Sequence, residues 1–173
     1  KTIANGLGSN TVRGLYVDSA GKIYAATFGG GLSISSDGGN TFSNKTIANG
    51  LGSNTVYGVY VDSAGKIYAA TFGGLSISSD GGATFSNKTI ANGLGSNTVR
   101  GLYVDSAGKI YAGTDLGISI STDGGATFSN KVYGSSGFCF SNIFVDSSGK
   151  IYAGTGNGPV TGIYGLYMIN NNF

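Results

Sequence analysis

The chain has 173 residues, room for one domain with its own core, and 40% of them are hydrophobic in regular alternation, which excludes a disordered chain. Ten Lys and Arg against eight acidic residues leave a net charge of +2, and the Lys residues stand singly, so the basic patch of a nucleic-acid surface is missing. With no His and a single Cys139, zinc and an intrachain disulfide framework are excluded, and no apolar run reaches the ~20 residues of a membrane-spanning helix.

Glycine accounts for 33 residues, Glu and Trp are absent and Pro occurs once. Together with abundant Tyr, Val, Ile and Thr, this predicts short strands and many tight turns. Cys139 reads as a small buried hydrophobe. The chain starts at Lys1, in phase with an internal repeat and without an initiator Met or leader. That suggests a processed chain, a fragment, or an engineered run of repeats.

Four copies of a repeat of about 43 residues, Lys1–Asn44, Lys45–Asn87, Lys88–Asn130 and Lys131–Phe173, align end to end. In the first, Thr11–Asp18 is a strand with Val12, Gly14 and Tyr16 on one face and Arg13, Leu15 and Val17 on the other. Asp18–Lys22 makes a hairpin turn, with Gly21 in the left-handed position. Ile23–Thr27 is the second strand, whose Ala25 and Ala26 suit close sheet packing. The third, Leu32–Ser35, follows the Phe28–Gly31 turn. Thr41–Ile47 is the fourth strand, and Ala48–Asn54 crosses to the next unit. No helical periodicity is visible anywhere in the chain.

The corner between the third and fourth strands is the most regular feature. It reads Ser35-Ser36-Asp37-Gly38-Gly39-Asn40-Thr41-Phe42, then Ser78-Ser79-Asp80-Gly81-Gly82-Ala83-Thr84-Phe85, then Ser121-Thr122-Asp123-Gly124-Gly125-Ala126-Thr127-Phe128. Asp bonds the backbone ahead of it, the Gly pair supplies positive φ, and Thr-Phe opens the next strand. This Ser-x-Asp-x-Gly-x-Thr-aromatic pattern resembles the Asp box (BNR repeat) of sialidase-type and sortilin-like β-propellers. Gly-Leu-Gly-Ser-Asn-Thr-Val and Lys-Ile-Tyr-Ala-Ala-Thr are similar to the propeller repeats of bacterial two-component regulators. The resemblance implies an all-β propeller of four-stranded antiparallel blades. A stacked β-solenoid is the competing arrangement, with shorter rungs and no hairpin corners.

The resemblance also implies a peripheral, non-catalytic place for the three corners (Ser35, Asp37, Gly39, Thr41, Phe42 and their counterparts). The sialidase site needs three Arg, a Tyr–Glu pair and an acid Asp, whereas this chain has only Arg13 and Arg100 and no Glu. Seven of its eight Asp belong to turns, Asp18, Asp62, Asp105 and Asp146 in the hairpin and Asp37, Asp80 and Asp123 in the corner, which leaves Asp115. Glycoside hydrolysis needs two carboxylates across one bond, so the expectation is a non-enzyme without cofactor. One Asp per turn followed by Lys22, Lys66, Lys109 or Lys150 is a poor calcium site. Gly154–Pro159 lacks the helix of a phosphate loop. Asn44-Lys45-Thr46 and Asn87-Lys88-Thr89 match the glycosylation sequon by composition alone.

Binding is the reading that remains, and variation among copies points to its residues. Arg13, Tyr57, Arg100 and Ser141 on the first strands, with the loops Phe28–Gly31, Phe72–Gly74, Asp115–Gly117 and Gly156–Gly162, differ where the framework repeats. Arg and Tyr are interface hot-spot types, although drift on a free surface would leave the same pattern. A glycan or protein ligand, a bacterial extracellular or periplasmic location and self-association are the matching expectations. The last repeat ends where a corner should begin, and Lys1–Ile3 is the tail of a fourth strand. Pairing the two would close four blades within one chain, or eight between two chains, or extend a filament.

Overall fold

The computed structural model describes residues 1–133, 139–156 and 165–170. Loop residues 157–162, with Pro159, and the end of the last repeat at 171–173 lie outside them. The chain is all-β. Its strands are β1 (Val12–Val17), β2 (Ile23–Thr27), β3 (Leu32–Ser35), β4 (Ser43–Lys45), β5 (Val56–Val61), β6 (Ile67–Thr71), β7 (Gly74–Ser78), β8 (Ser86–Lys88), β9 (Val99–Val104), β10 (Ile110–Thr114), β11 (Gly117–Ser121), β12 (Ser129–Lys131), β13 (Phe140–Val145), β14 (Ile151–Thr155) and β15 (Leu166–Ile169). They form four antiparallel meanders in chain order: β1-β2-β3-β4, β5-β6-β7-β8, β9-β10-β11-β12 and the three-stranded β13-β14-β15. These are the four blades. β1 neighbours β5, β5 neighbours β9 and β9 neighbours β13, so the first strand of each blade lines the inside of the fan.

The core lies between blades. Alternation sends Ile67 and Ala69 of β6 to one face, where they meet Tyr24, Ala26, Leu32 and Ile34 of the preceding blade. Tyr68 and Ala70 go to the other face and meet Val99, Val104, Ile110 and Phe128 of the following blade. A third cluster, around Tyr111, Ile118, Phe140 and Ile151, joins the last two blades. Fully burying each such Leu, Ile or Phe is worth about 1.5–3 kcal/mol. The expected corners are present. Ser35 Oγ donates to Asp37 (2.7 Å) and accepts from Gly39 N (2.9 Å), while Asp37 accepts from Thr41 N (3.0 Å) and Thr41 Oγ1 (2.6 Å). Gly38 and Gly39 have φ of 71° and 84°.

Three expectations change. Thr41–Ile47 is not a strand throughout, since pairing is confined to Ser43–Lys45 and a 3₁₀ turn follows at Ile47–Asn49. The same turn recurs at Ile3–Asn5 and Ile90–Asn92, although the sequence shows no helical period. Its cause is local. Thr46 Oγ1 accepts from Ala48 N (3.3 Å), the Asn49 side chain accepts from Thr46 N (3.1 Å), and Gly50 closes the turn at φ 91°. Ile3 opens the first of these turns, and Lys1 and Thr2 lie outside the described strands. Finally, the first strands do not alternate from end to end. Val12 pairs with Thr27 and Gly14 with Ala26, so Arg13 is an extra, bulged residue. The bulge moves the residue before it to the opposite face. In blade two, Val56 joins Val59 and Val61 against blade one, where strict alternation would have separated it from them.

Candidate functional site

The same bulge occurs in every blade. Tyr57 is the unpaired residue between Val56 and Gly58, Arg100 between Val99 and Gly101, and Ser141 between Phe140 and Asn142. Arg13, Tyr57, Arg100 and Ser141, singled out by their variation between copies, are therefore the four bulge residues of the inner strands. A bulge frees one side chain from the pleat and re-aims it. All four turn into one cleft of about 220 Å³, which adjoins a second of about 290 Å³ that the same side chains also line.

Within the cleft the side chains touch. The guanidinium carbons of Arg13 and Arg100, from the two blades flanking Tyr57, lie 5.3 and 5.4 Å from its ring centre. Arg13 also lies 4.7 Å from the ring centre of Phe28. Such cation–π contacts are worth about 0.5–1 kcal/mol when exposed and more when desolvated. Arg100 is further held by Asp115, with Nε donating to Oδ1 and Nη2 to Oδ2 at 3.3 Å. Hydrogen bonding to Asp115 pushes the Arg100 pKa up and fixes its charge. Behind the pair, the Cys139 thiol faces the Asp115 carbonyl at 3.9 Å. Cys139 is buried, as expected, and burial pushes the thiol up to about 11, so it is an unreactive neighbour.

The cleft is positive. Its lining residues include two guanidiniums and no carboxylate, and Asp115 at its edge offsets Arg100 alone. Arg13 is exposed and has two aromatic rings around it. Hydroxyl and amide groups of Tyr57, Ser141 and Asn142 complete the lining. Among the variable loops, Phe28, Asp115 and Gly156 reach this region. Phe72 is solvent-exposed and contributes nothing to it. Asn142 was missed from the sequence, although a signal existed. It occupies the repeat position of Gly14, Gly58 and Gly101.

The opposite ends of the inner strands carry the hairpin Asp residues. Asp18 Oδ1 accepts from Ala20 N (3.0 Å) and Lys22 N (2.9 Å), and Oδ2 accepts from Tyr24 Oη (3.1 Å). Burial, reinforced by this carboxylate, pushes Tyr24 up to about 12. Lys22 Nζ lies 5.4 Å from the Tyr24 ring centre, so Asp and Lys of the turn both engage one tyrosine. The sequon asparagines are engaged as well. Asn44 accepts from Ser33 Oγ (2.6 Å) and donates to Gly6 O (2.8 Å), and Asn87 bonds Ser76 and Gly73 likewise. No cluster of three or more His, Cys, Asp or Glu suited to a metal occurs among the described residues.

The sequence model of the two-component regulator propeller matches residues 93–115, which run from the crossover between the second and third blades through β9 and β10. Among solved structures, the extracellular domain of a putative hybrid two-component system from B. thetaiotaomicron superposes with a TM-score of 0.81 at 27% identity. The match covers 99% of this chain and 23% of that one. The chain is a β-propeller repeat protein. An ancestral GH74 enzyme shares the fold at TM-score 0.72 and 19% identity, over 91% of this chain and 22% of its own. The Niastella koreensis GH74 enzyme follows at 0.66 and 23%, over 95% and 30%. This propeller thus spans less than a third of each of these structures. None of the curated proteins shows a significant match to it.

Proposed function

We propose that the chain is a non-enzymatic binding propeller working outside the bacterial cytoplasm, in the periplasm or beyond, with a glycan or protein ligand held in the inner-strand cleft. The observation that carries this reading is the convergence of Arg13, Tyr57, Arg100 and Ser141. The blade framework is largely repeated, while the bulged residue that each inner strand aims into the cleft is Arg, Tyr, Arg and Ser in turn, which supports contact there. A guanidinium–tyrosine–guanidinium array offers stacking surface and donors to a planar or anionic group. The similarity to the extracellular domain of a putative two-component system supports the location. The absence of Glu and the commitment of the Asp residues to turns, corners and Arg100 support binding without hydrolysis.

The test is capture on arrays of acidic and neutral oligosaccharides and of peptides, comparing the chain with Arg13→Ala and Arg100→Ala. The expected result is capture by the native chain and at least a tenfold loss in each variant, with unchanged thermal unfolding for Arg13→Ala. Equal capture by native and variant chains, or none by the native chain, overturns the reading.

A further inference from the structure

The three junctions between blades share one pattern. Each blade offers a face of large side chains, Tyr24, Leu32 and Ile34 in blade one and Tyr68, Leu75 and Ile77 in blade two. The following blade receives it with Val56, Val61, Ile67 and Phe85, or with Val99, Val104, Ile110 and Phe128. A socket at the corner glycine adds shape to this contact. A methyl group built at Gly82 would meet Ile34 Cδ1 at 2.9 Å, and one at Gly125 would meet Ile77 Cδ1 at 2.5 Å, so each isoleucine fills the space that glycine leaves.

The two end blades each keep one half of this contact open. In blade one, Val17 is 57% exposed and Val12 40%, where their counterparts Val61 and Val56 are 2% and 0%. The space above Gly39, counterpart of Gly82, is bordered by Ile23, Phe42 and Lys1, with no isoleucine from another blade. In blade four, Gly154 pairs with Leu166 and Tyr152 with Met168, as Gly113 pairs with Ile118 and Tyr111 with Ile120. Leu166 and Met168 are 67% and 62% exposed, whereas Ile118 and Ile120 are 0% and 5%. One end therefore presents the large face without its receiver, and the other presents the receiver without its large face.

We infer that these two halves bind each other between chains, so that blade four of one copy docks on blade one of a second copy and repeats the internal junction. The occupant follows from complementarity. Met168 stands at the position of Ile34 and Ile77, and Gly39 at that of the glycines those residues cover. The strand register agrees. Leu32, Leu75 and Ile118 pair with Lys45, Lys88 and Lys131, and Lys1 is the same repeat position, so Lys1 of the second copy falls beside Leu166. The contact is heterologous, and two copies joined through both junctions make a closed pair. This inference is independent of the cleft, whose four bulge residues take no part in it.

Light scattering from micromolar to millimolar concentration tests it with Val17→Asp, which disables the receiver, and Met168→Asp, which disables the large face. The native chain is expected at twice the monomer mass or more, and each variant at the monomer mass with an unchanged circular dichroism spectrum. Mixing the two folded variants is expected to restore the doubled mass, because each retains the half that the other lost. A native chain that stays monomeric overturns the inference. So does either variant that still associates alone, which indicates like faces pairing, or a mixture that stays monomeric. Arg13→Ala serves as the control that leaves the mass unchanged whichever way the ligand screen falls.

Discussion

Val17, Val61, Val104 and Val145 hold the same place at the end of the inner strand in the four blades, but only the first is exposed, at 57% against 2%, 2% and 5%. Replacing each in turn by Ala is one chemical change in four nearly identical settings. At the three buried sites it removes two methyl groups, about 1.6 kcal/mol of transfer at ~0.8 kcal/mol each, and leaves a cavity between blades, for roughly 2–3 kcal/mol in total. In a chain of this size that corresponds to a fall in Tm of about 4–12 °C. At Val17 the side chain is already in water, and the expected change is within ~0.5 kcal/mol. Calorimetry and urea unfolding at the lowest workable concentration, where copies are apart, give the four values. Val17→Ala destabilising the dilute chain as much as Val61→Ala would refute the account of the junctions. A second arm uses concentration. Where two copies share a junction, Val17 acquires the environment of Val61, and Val17→Ala lowers the melting temperature of the concentrated protein but not of the dilute one.

Two further outcomes follow from turns and close approaches. The Thr hydroxyls and amides of the three corners hold the Asp37, Asp80 and Asp123 carboxyls well below the ordinary carboxylate value of 3.8. A depressed folded pKa contributes stability that is complete above the unfolded value and is lost as pH falls through the folded one, so Tm should hold down to about pH 4 and drop steeply below it. In Thr84→Val, which deletes the hydroxyl donor to Asp80, the drop should be shallower; an unchanged pH profile refutes that role. At the bulges, a methyl group at Gly101 would lie 2.1 Å from Ser141 O, while one at Gly58 meets nothing within 4 Å. Gly101→Ala should therefore cost about 2 kcal/mol or more, and Gly58→Ala should be neutral or slightly stabilising in urea unfolding. Similar values for the two would refute the close approach of β9 to β13.

The blades were legible because their determinants are local and repeated. Ser35, Asp37, Gly39 and Thr41 satisfy one another within a few residues, and Asp18 reaches only to Lys22 and Tyr24, so each corner could be read from its own letters. The 3₁₀ turn was equally local, with Thr46, Asn49 and Gly50 as its cap, but three residues are too few to show a period, and Asn stood where a capping box usually has Glu or Gln. The bulge was hidden for a different reason. Alternation predicts faces only if every residue is paired, and nothing in Val12-Arg13-Gly14 by itself says that one is left over. Burial across blades reveals it, since Val56 and Val61 share a face although their positions differ by an odd number.

That hidden feature explains why the first-strand variation among copies falls on one position in every blade. A paired residue on an inner strand packs against a neighbouring blade, and changing it disturbs a junction. A bulged residue has no cross-strand partner and can be Arg, Tyr or Ser while Val or Phe on one side and Gly or Asn on the other keep the framework. Arg13 and Arg100 bear this out. They hold the same repeat position, yet one lies over Phe28 and the other is paired with Asp115, because the loops after β2 and β10 differ. The chemistry of each blade at the cleft is set by two independent choices, the bulge residue and the loop facing it. Exchanging the two therefore changes the charge and stacking surface of the cleft without repacking the junctions that hold the blades together.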